Sequence, residues 1–532
     1  MQLKSSATSS LACCLAALIL LVSCGGRSTP PPPPPALSIT TATLPDWMAT
    51  FAYTQTLQAT GGVSPFAWSV SSGNLPHGLT LANSSSESVI ITGTPDVAAS
   101  TTFTIQVTDG KSQTATQSYS IQIKSLVSPQ LVPVQGQVAP GIIEIQGLSA
   151  GSFNPVYWQK DTLNWVPDVR VPMLAPQPGP FQNIYAPWPL EQASGWRLFY
   201  GGWDGTDTSN DRVYSVTTPD FLTFNNRVLV IDHGAFLHVN NGNVTQLSDG
   251  SMHMICTIAV DQTSNGKPAY FSSPDGIVWN GTPEPYPAQL TDVVSIENDP
   301  LYPGYDYNGG NVLLRDNGGW TLYYSDGIYG GSGGAVYRAT TTGSPPVFQS
   351  AGSSLATQHY SNDVKKLTVG GKDWYLMALY IERVATDPNP PSFSYSLSND
   401  GVQFGPEQTL FGGAYPQDQF LVTPAFVTRG TQILGVLYGG NPVDLLNPQD
   451  AIFARWLQKK VTIHDASGAR QAILGAYGSD KQWLQIAAGT FQGTIAVYAE
   501  DGVTPLAAGP VSLSAGTAYQ LVLGTNTATK RK

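Results

Sequence analysis

The chain has 532 residues, of which only 11% are charged, and its formal net charge is −11. This acidic balance excludes a nucleic-acid-binding protein, because such proteins need a basic surface to neutralise phosphates. The 54 glycines, 41 prolines and 10% of aromatic residues are instead typical of a turn-rich, all-β exported protein.

The N-terminal segment reads as an export signal over residues 1–23. Lys4 precedes an apolar run, Leu11 to Val22, which is too short to span a bilayer. The sequence then resembles the lipobox of bacterial lipoproteins, which implies lipidation of Cys24 and, because Gly25 follows, residence in the outer membrane as a periplasmic or cell-surface lipoprotein. The alternatives are an ordinary signal peptide with a chance cysteine and an uncleaved anchor. Residues 24–35 end in six prolines, which predict a stiff linker to the membrane anchor.

Residues 36–124 alternate short apolar runs with turn signals. Phe103, Ile105 and Val107 are separated by polar residues, and this period of two predicts a β-sandwich with one buried face per sheet. The order and spacing of several short motifs resemble the immunoglobulin-like domain of bacterial surface proteins. These motifs are Gly61-Gly62, Pro65-Phe66, Trp68, Gly93-Thr94-Pro95 and Val107-Thr108-Asp109.

That family belongs among the cadherin-like sandwiches, some of which bind calcium. The resemblance therefore makes Asp96 and Asp109 candidate calcium ligands, although the oxygen-rich cluster that calcium needs is thin here. The alternative is a turn aspartate that closes a hairpin with Gly110. No other cofactor and no metal site is indicated, since the histidines lack zinc-ligand spacing.

After a linker at 125–149, residues 150–458 contain an internal repeat. An aromatic strand followed by a polar turn and a second aromatic recurs at Tyr214, Tyr270, Tyr337 and Tyr395, at intervals of 56, 67 and 58 residues. A hydrophobic strand precedes each copy, which predicts a five-bladed β-propeller. A poorer early copy at Tyr157 is expected to complete the last blade and close the ring. Residues 459–532 are expected to form a small C-terminal β module.

The predicted fold class is therefore all-β: an immunoglobulin-like β-sandwich, then a five-bladed β-propeller, then a small C-terminal β module. The outer strand Ser272-Ser273-Pro274-Asp275-Gly276 with Trp279 resembles that of the five-bladed propellers of glycoside hydrolase families 43, 32, 62, 68 and 117. The resemblance implies a carbohydrate partner bound in a central cavity, lined by the first strand of each blade.

The candidate substrate-binding residues lie where these first strands begin. Amide, imidazole and indole groups can bind sugar hydroxyls or stack on sugar faces. The alternatives are that the asparagines cap backbone groups and that the rings are structural. The candidates are Asn183, Trp188, His238, Asn243, Asn311 and His359.

Glycoside cleavage needs two carboxyl groups. The resembling families place an Asp at the start of the first and second blades, whereas this chain has Asn183 and Asn243 there. We therefore keep two hypotheses, a glycoside hydrolase and a non-catalytic glycan-binding or adhesive lipoprotein. The catalytic candidates are Glu297 as the acid, Asp363 as the base or as the residue that tunes the pKa of Glu297, and Asp306 in the loop after Glu297. The alternative is that these are solvated loop carboxylates.

Overall fold

The computed structural model describes residues 36–203, 211–259, 266–299, 310–326, 334–343, 345, 347–357, 359–381, 391–412, 420–441, 450–487 and 489–524. The predicted export signal and Cys24 lie outside these residues. The chain divides into two compact units. The first ends at Ile121, and the second comprises the chain from Gln122 onward together with two earlier segments, Asp46–Phe51 and Pro95–Ala99. Each is nearly all β.

The N-terminal sandwich consists of two four-stranded sheets, ordered β1-β3-β6-β5 and β2-β8-β7-β4. The predicted alternation is confirmed, since Phe103, Ile105 and Val107 on β7 are buried while their neighbours are more exposed. The strands are β1 (Ser38–Ile39), β2 (Trp47–Met48), β3 (Tyr53–Thr60), β4 (Ala67–Gly73), β5 (Leu79–Leu81), β6 (Ser88–Gly93), β7 (Ala99–Thr108) and β8 (Thr114–Lys124).

Two strands and a short helix precede the repeat. The strands β9 and β10 belong to the C-terminal module described below, and β11 pairs with the last sheet of the propeller. Tyr157, the early aromatic copy, lies in the helix α1, and the closing strand begins eight residues later at Trp165. The elements are β9 (Gln130–Gln137), β10 (Ile142–Gln146), α1 (Pro155–Trp158) and β11 (Trp165–Pro167).

The described part of the repeat region contains five sheets of three to six strands, paired mainly antiparallel, and one sheet of two short strands. The hydrophobic segments predicted before each aromatic copy form the second strand of a sheet, and the aromatic copies form the third. The first two sheets comprise β12 (Asn183–Gln192), β13 (Gly195–Trp203), β14 (Arg212–Thr218) and β15 (Asn225–Asp232), then β16 (His238–Gln246), β17 (Met252–Ala259) and β18 (Lys267–Ser273).

A segment between the second and third sheets adds strands to the outer edges of its neighbours. Its β21 pairs in parallel with β15 and its β22 with β26 of the third sheet. The elements of this segment are β19 (Val278–Trp279), β20 (Thr282–Pro283), β21 (Tyr286–Pro287), a 3-10 helix (Leu290–Asp292) and β22 (Ser295–Glu297). The third sheet itself consists of β23 (Asn311–Asp316), β24 (Gly319–Asp326), β25 (Ala335–Thr341), β26 (Val347–Ser350) and β27 (Ala356–Thr357).

The remaining sheets are the fourth, of β28 (Tyr360–Val369), β29 (Lys372–Tyr380), β30 (Ser392–Ser398) and β31 (Gln408–Gly412), and the fifth, of β32 (Phe420–Arg429), β33 (Gln432–Asn441) and β34 (Ala451–Leu457). The first strands β12, β16, β23, β28 and β32 contact one another in this order, and β32 contacts β12. These inner strands therefore form a closed ring, as in a propeller.

The two ends of the repeat region pair with each other, as predicted. Trp165 of β11 pairs with Leu457 of β34, so a strand from before the first sheet completes the last one. This pairing covers the edge of β34, which would otherwise be exposed. We call the end of the ring where the inner strands begin the leading face, and the opposite end the trailing face.

The C-terminal module contains more of the chain than the sequence indicated. Strands β9 and β10 pair with β40, and β10 also pairs with β37, so much of the expected linker 125–149 is part of a five-stranded sheet. Because prolines interrupt this segment, its sequence resembles a linker and its short strands were not predicted. The module's later strands are β35 (Lys460–Asp465), β36 (Ile473–Ala476), β37 (Gln482–Gln485), β38 (Thr490–Tyr498), β39 (Pro505–Ser514) and β40 (Thr517–Val522).

Candidate functional site

Four of the five inner strands carry a β-bulge near the leading face. At three of these bulges a non-glycine residue has a positive φ: Ala186 at 49°, Asn241 at 51° and Thr423 at 52°. This conformation is costly for a β-branched residue such as Thr423. The Thr423 hydroxyl accepts a hydrogen bond from the Ala186 backbone N–H at 3.0 Å, which ties two inner strands together. Bulges of this kind re-aim side chains beside binding sites.

Next to these bulges, Asp211 is the centre of a hydrogen-bonded group. It lies directly before β14, and its Oδ2 accepts from the Tyr185 hydroxyl at 2.6 Å. The Asn240 amide donates to the same oxygen at 3.4 Å and to the Tyr185 hydroxyl at 3.1 Å. His238 Nδ1 lies 3.7 Å away from Asp211 Oδ2. Donors from the first two inner strands therefore converge on one buried carboxyl group.

A second aspartate, Asp450, lies directly before β34 on the other side of β12. Its backbone N–H donates to Asn183 Oδ1 at 2.9 Å, and its carbonyl accepts from the Ile184 N–H at 3.0 Å. Its side chain accepts from the Asn441 amide at 3.2 Å. Backbone bonds to β12 thus hold Asp450 at the leading face.

The two carboxyl groups differ in how well their charge is stabilised. Burial raises the pKa of Asp211, but His238, Tyr185 and Asn240 oppose this rise. Burial raises the pKa of Asp450 to about 7; the Asn441 amide opposes that rise, whereas the charge of Asp211 adds to it. Near neutral pH a proton shared by the pair therefore rests on Asp450, and Asp211 is the better carboxylate.

Several buried polar atoms in this group have no hydrogen-bond partner among the described residues. They are Asp211 Oδ1, Asn183 Nδ2, Asn240 Oδ1 and Asn241 Oδ1. Buried polar groups are nearly always paired, so unpaired ones at a single mouth indicate groups that serve a ligand. The leading-face cluster is defined as Asn183, Tyr185, Asp211, His238, Asn240, Asn241 and Asp450.

The structure places two of the predicted binding residues, Asn183 and His238, in this cluster. Two others lie deeper in the ring and connect sheets. Asn243 accepts from the Leu313 N–H at 3.4 Å and donates to the Asn362 carbonyl at 3.5 Å. Asn311 donates to the Thr257 hydroxyl at 2.9 Å. For Asn243 these contacts match the alternative of a side chain that satisfies backbone groups.

Trp188 and Asp363 fill the ring between its two faces. The Trp188 ring is buried, its N–H donates to the Val244 carbonyl at 2.8 Å, and Lys365 Nζ lies 3.6 Å from the ring centroid. Asp363 is fully buried; it accepts from the Phe426 N–H at 2.7 Å and pairs with Lys365 at 3.3 Å. Burial raises the pKa of Asp363 to about 6 against the opposing effect of Lys365.

The predicted acid, Glu297, does not face Asp363. It lies on β22, four strands out from β23 in the third sheet, and this corresponds to about 19 Å at the usual strand spacing. Its side chain is exposed and accepts a hydrogen bond from Gln349. Asp363 lies on the inner strand β28, so Glu297 and Asp363 are too far apart to act on one bond. The prediction that they form an acid and base pair is wrong.

His359 is also away from the cluster, because its Nε2 lies 3.2 Å from Glu407, which precedes the outermost strand β31. Asp306 lies outside the described residues. In the sandwich, Asp109 accepts backbone N–H groups from Lys111, Gln113 and Val63 at 2.8–2.9 Å. It therefore has the turn-closing role given as the alternative to calcium binding.

Across the ranges described above, no group of three or more His, Cys, Asp or Glu side chains is arranged to hold a metal ion. Within the same ranges, no helix has the length and apolarity needed to cross a bilayer.

The sequence reasoning missed Asp211 and Asp450, although a signal for them exists. Each stands three residues before the aromatic residue of a third strand, Tyr214 in the first sheet and Phe453 in the last. The other three copies have Lys, Gly or Ser at that position. Comparing the residues before each aromatic copy would have shown acidic residues only in the two sheets that meet where the ring closes.

Comparison with known proteins adds the following. Residues 29–124 match the family described as "Putative Ig domain". No curated protein matches the chain. Similar solved structures include a family 117 glycoside hydrolase from Zobellia galactanivorans (11% identity, 60% of this chain and 91% of that chain, TM-score 0.37). A second is the alpha-L-arabinofuranosidase PaAbf62A from Podospora anserina in complex with cellotriose (14% identity, 56% of this chain and 97% of that chain, TM-score 0.39). A third is a glycosyl hydrolase from Bacteroides ovatus (11% identity, 62% of this chain and 99% of that chain, TM-score 0.38). At these values the similarity does not establish an activity. The N-terminal sandwich is immunoglobulin-like, as the sequence predicted.

Proposed function

We propose that this chain is an exported, lipid-anchored glycoside hydrolase-like enzyme that acts on a poly- or oligosaccharide at the leading face of a five-bladed propeller. The observation that carries the proposal is the pair of carboxyl groups, Asp211 and Asp450, held on either side of β12 with their pKa values raised by burial. Unpaired polar atoms of Asn183 and Asn240 surround them. A pair of carboxyl groups with different proton affinities is what glycoside cleavage needs.

The roles follow from the different surroundings of the two groups. Asp450 has a pKa of about 7 and retains its proton near neutral pH, so it serves as the acid that protonates the departing sugar oxygen. Asp211 is stabilised as a carboxylate by Tyr185, Asn240 and His238, so it acts on the opposite side of the bond as the nucleophile or base. His238 is partly exposed and can bind a sugar hydroxyl beside Asp211.

The test is turnover by the full-length chain, purified in detergent, on a panel of 4-nitrophenyl glycosides and of plant and bacterial polysaccharides. Asp450→Asn removes the proton donor, so we expect kcat to fall by roughly 10²- to 10⁴-fold. Asp211→Asn should cause a similar loss, because an amide cannot act as a nucleophile or base.

The matched control is Glu297→Gln, which neutralises an exposed carboxylate on the outer strand β22 and should leave turnover unchanged. Saccharide binding without turnover in the wild-type chain would support the non-catalytic alternative, which the asparagines at 183 and 243 favour. Equal turnover by wild type and both aspartate variants would overturn the assigned roles.

We also propose lipidation of Cys24 and an outer-membrane location, supported by the lipobox-like sequence Leu21-Val22-Ser23-Cys24. Bacterial cells that express the chain are labelled with a radioactive fatty acid, and the wild type should carry the label. Cys24→Ser should lose it and leave the membrane fraction. Label retained by Cys24→Ser would contradict the proposed anchor.

A further inference from the structure

A cavity of 360 Å³ opens on the trailing face, at the far end of the ring from the leading-face cluster. Residues of four inner strands line it, among them Trp188 and Glu191 of β12, Gln246 of β16, Lys365 of β28 and Thr428 of β32. Tyr185 and Glu191 are six residues apart on one strand, which corresponds to about 20 Å. The cavity is therefore at the second mouth of the ring.

Buried side chains separate this cavity from the leading face. The Trp188 ring forms its floor together with Lys365, whose Nζ lies 3.6 Å from the ring centroid. Lys365 is bonded in turn to Asp363, which accepts the Phe426 N–H at 2.7 Å. Because these groups are packed across the ring, a ligand in the trailing-face cavity is separate from one at the leading face.

Of the two charged side chains that line the cavity, only Lys365 is neutralised by an opposite charge. The Lys365 ammonium is paired with Asp363 at 3.3 Å, and the Glu191 carboxylate already accepts the Gly430 N–H at 2.7 Å. No uncompensated cation among the described lining residues would attract an anion. What remains is an indole edge and aliphatic walls, combined with the hydroxyls of Ser248 and Thr428. The Gln246 amide also lines the cavity; it donates to the Gly250 carbonyl at 3.1 Å and accepts from Gln192 at 3.0 Å, and each end can make one further hydrogen bond.

A mixture of aromatic and aliphatic surface with a few uncharged hydrogen-bonding groups suits a neutral, polyhydroxylated ring. We propose that the trailing-face cavity is a second ligand site that binds one or two neutral sugar units. The choice of a sugar as ligand rests on the proposed function, whereas the site itself rests on the cavity and its lining.

Such a site would hold a different saccharide segment from the one that reaches Asp211 and Asp450, because the two mouths open on opposite faces. Binding at one mouth would then keep polymer near the other by raising its local concentration. The gain is expected on long polysaccharides and not on short glycosides.

The experiment uses the full-length chain in which the leading-face pair is disabled by Asp211→Asn and Asp450→Asn together. Binding is measured on an array of neutral oligosaccharides (cello-, xylo-, manno- and arabino-series), with uronic-acid oligosaccharides beside them. We expect at least one neutral oligosaccharide to bind. Adding Gln246→Ala and Thr428→Val should weaken that binding at least tenfold, with the circular dichroism spectrum unchanged.

The matched control is Gln349→Ala, an exposed glutamine on the outer strand β26, which should not alter binding. The proposal is overturned if the disabled chain binds no neutral oligosaccharide, binds only the acidic ones, or binds equally well after the cavity substitutions. Turnover by the wild-type chain is measured separately on 4-nitrophenyl glycosides. An absence of turnover would contradict the proposed enzyme activity. Binding that depends on the cavity residues would still support the second site.

Discussion

The repeated sheets contain two sets of aspartates whose pKa values are shifted in opposite directions. In the outer turns, Asp275 and Asp400 each accept two backbone N–H groups and a serine hydroxyl, and these bonds hold their pKa values below the usual range. At the leading face, burial raises the pKa values of Asp211 and Asp450. The number of donors and the access to water therefore determine acidity, although the residue type is the same.

The difference follows from position within a sheet. The turn aspartates come after a third strand, where the chain reverses and free N–H groups point at the side chain. The leading-face aspartates come before a third strand, next to inner strands whose own backbone groups are largely paired. The first set stabilises the fold, whereas the proposed function needs two different groups from the second set, Asp450 as the proton donor and Asp211 as the carboxylate.

The largest effect on stability is expected at Asp363, which is buried like the leading-face pair but forms an ion pair with Lys365. Asp363→Asn leaves the Lys365 ammonium buried without its counter-ion, so the free energy of unfolding should fall by about 3–5 kcal/mol. The double variant Asp363→Asn with Lys365→Met removes both charges and should recover part of the loss. Urea denaturation measures both, and a single variant as stable as wild type would contradict the ion pair's structural role.

A smaller effect is expected from the pH dependence of Asp450. Its pKa is about 7 in the folded chain, compared with 3.8 for an ordinary aspartate, so the folded state binds more protons between these pH values. Stability should therefore fall as the pH rises from about 4 to about 7 and stay low above it. At 1.36 kcal/mol per pKa unit, the penalty is on the order of 1–4 kcal/mol.

Asp450→Asn removes this titrating group and should flatten that part of the stability profile. The variant is then expected to be more stable than wild type at pH 8 and inactive as an enzyme. Denaturation midpoints from pH 4 to pH 8 measure the slope. A slope that persists unchanged in the variant would show that another group titrates.

The architecture was predictable from the sequence because it depends on local periodicity. The alternation at Phe103, Ile105 and Val107 and the recurring tyrosines identified the sandwich and the third strands, since each pattern lies within one short strand. The ring closure followed from an unmatched aromatic copy before the repeats. The predicted position of the closing strand was wrong, because Tyr157 lies in a helix and the strand that pairs with the last sheet begins at Trp165.

The site was predictable only in part. Asn183 and His238 were found because the starts of inner strands can be recognised from the repeat. Asp211 and Asp450 come together through ring closure across 238 intervening positions of the sequence. The acidic residue before a third strand marks each of them, but no local pattern shows that the two meet. Glu297 was misplaced because a loop before an inner strand can run along the outer edge of a sheet, as β22 does.

The smallest effect is expected in the outer turns. Asp275→Ala removes the acceptor of the Ile277 and Val278 N–H groups, in a turn whose Gly276 carbonyl also accepts from Arg197 of the first sheet at 2.6 Å. We expect the melting temperature at pH 7 to fall by roughly 2–4 °C while turnover is unchanged. Calorimetry of wild type and variant gives this difference.

The acidity of Asp275 sharpens that measurement. The hydrogen bonds from the Val278 and Ile277 N–H groups lower the pKa of Asp275 below its ordinary value of 3.8, and the smaller effect of desolvation opposes them. A carboxylate with a lowered pKa stabilises the fold above its unfolded pKa, and this contribution disappears as the pH falls through the folded pKa. The difference between wild type and Asp275→Ala should therefore shrink below about pH 4. A difference that stays constant down to pH 2 would mean that the size of the side chain, and not its charge, closes the turn.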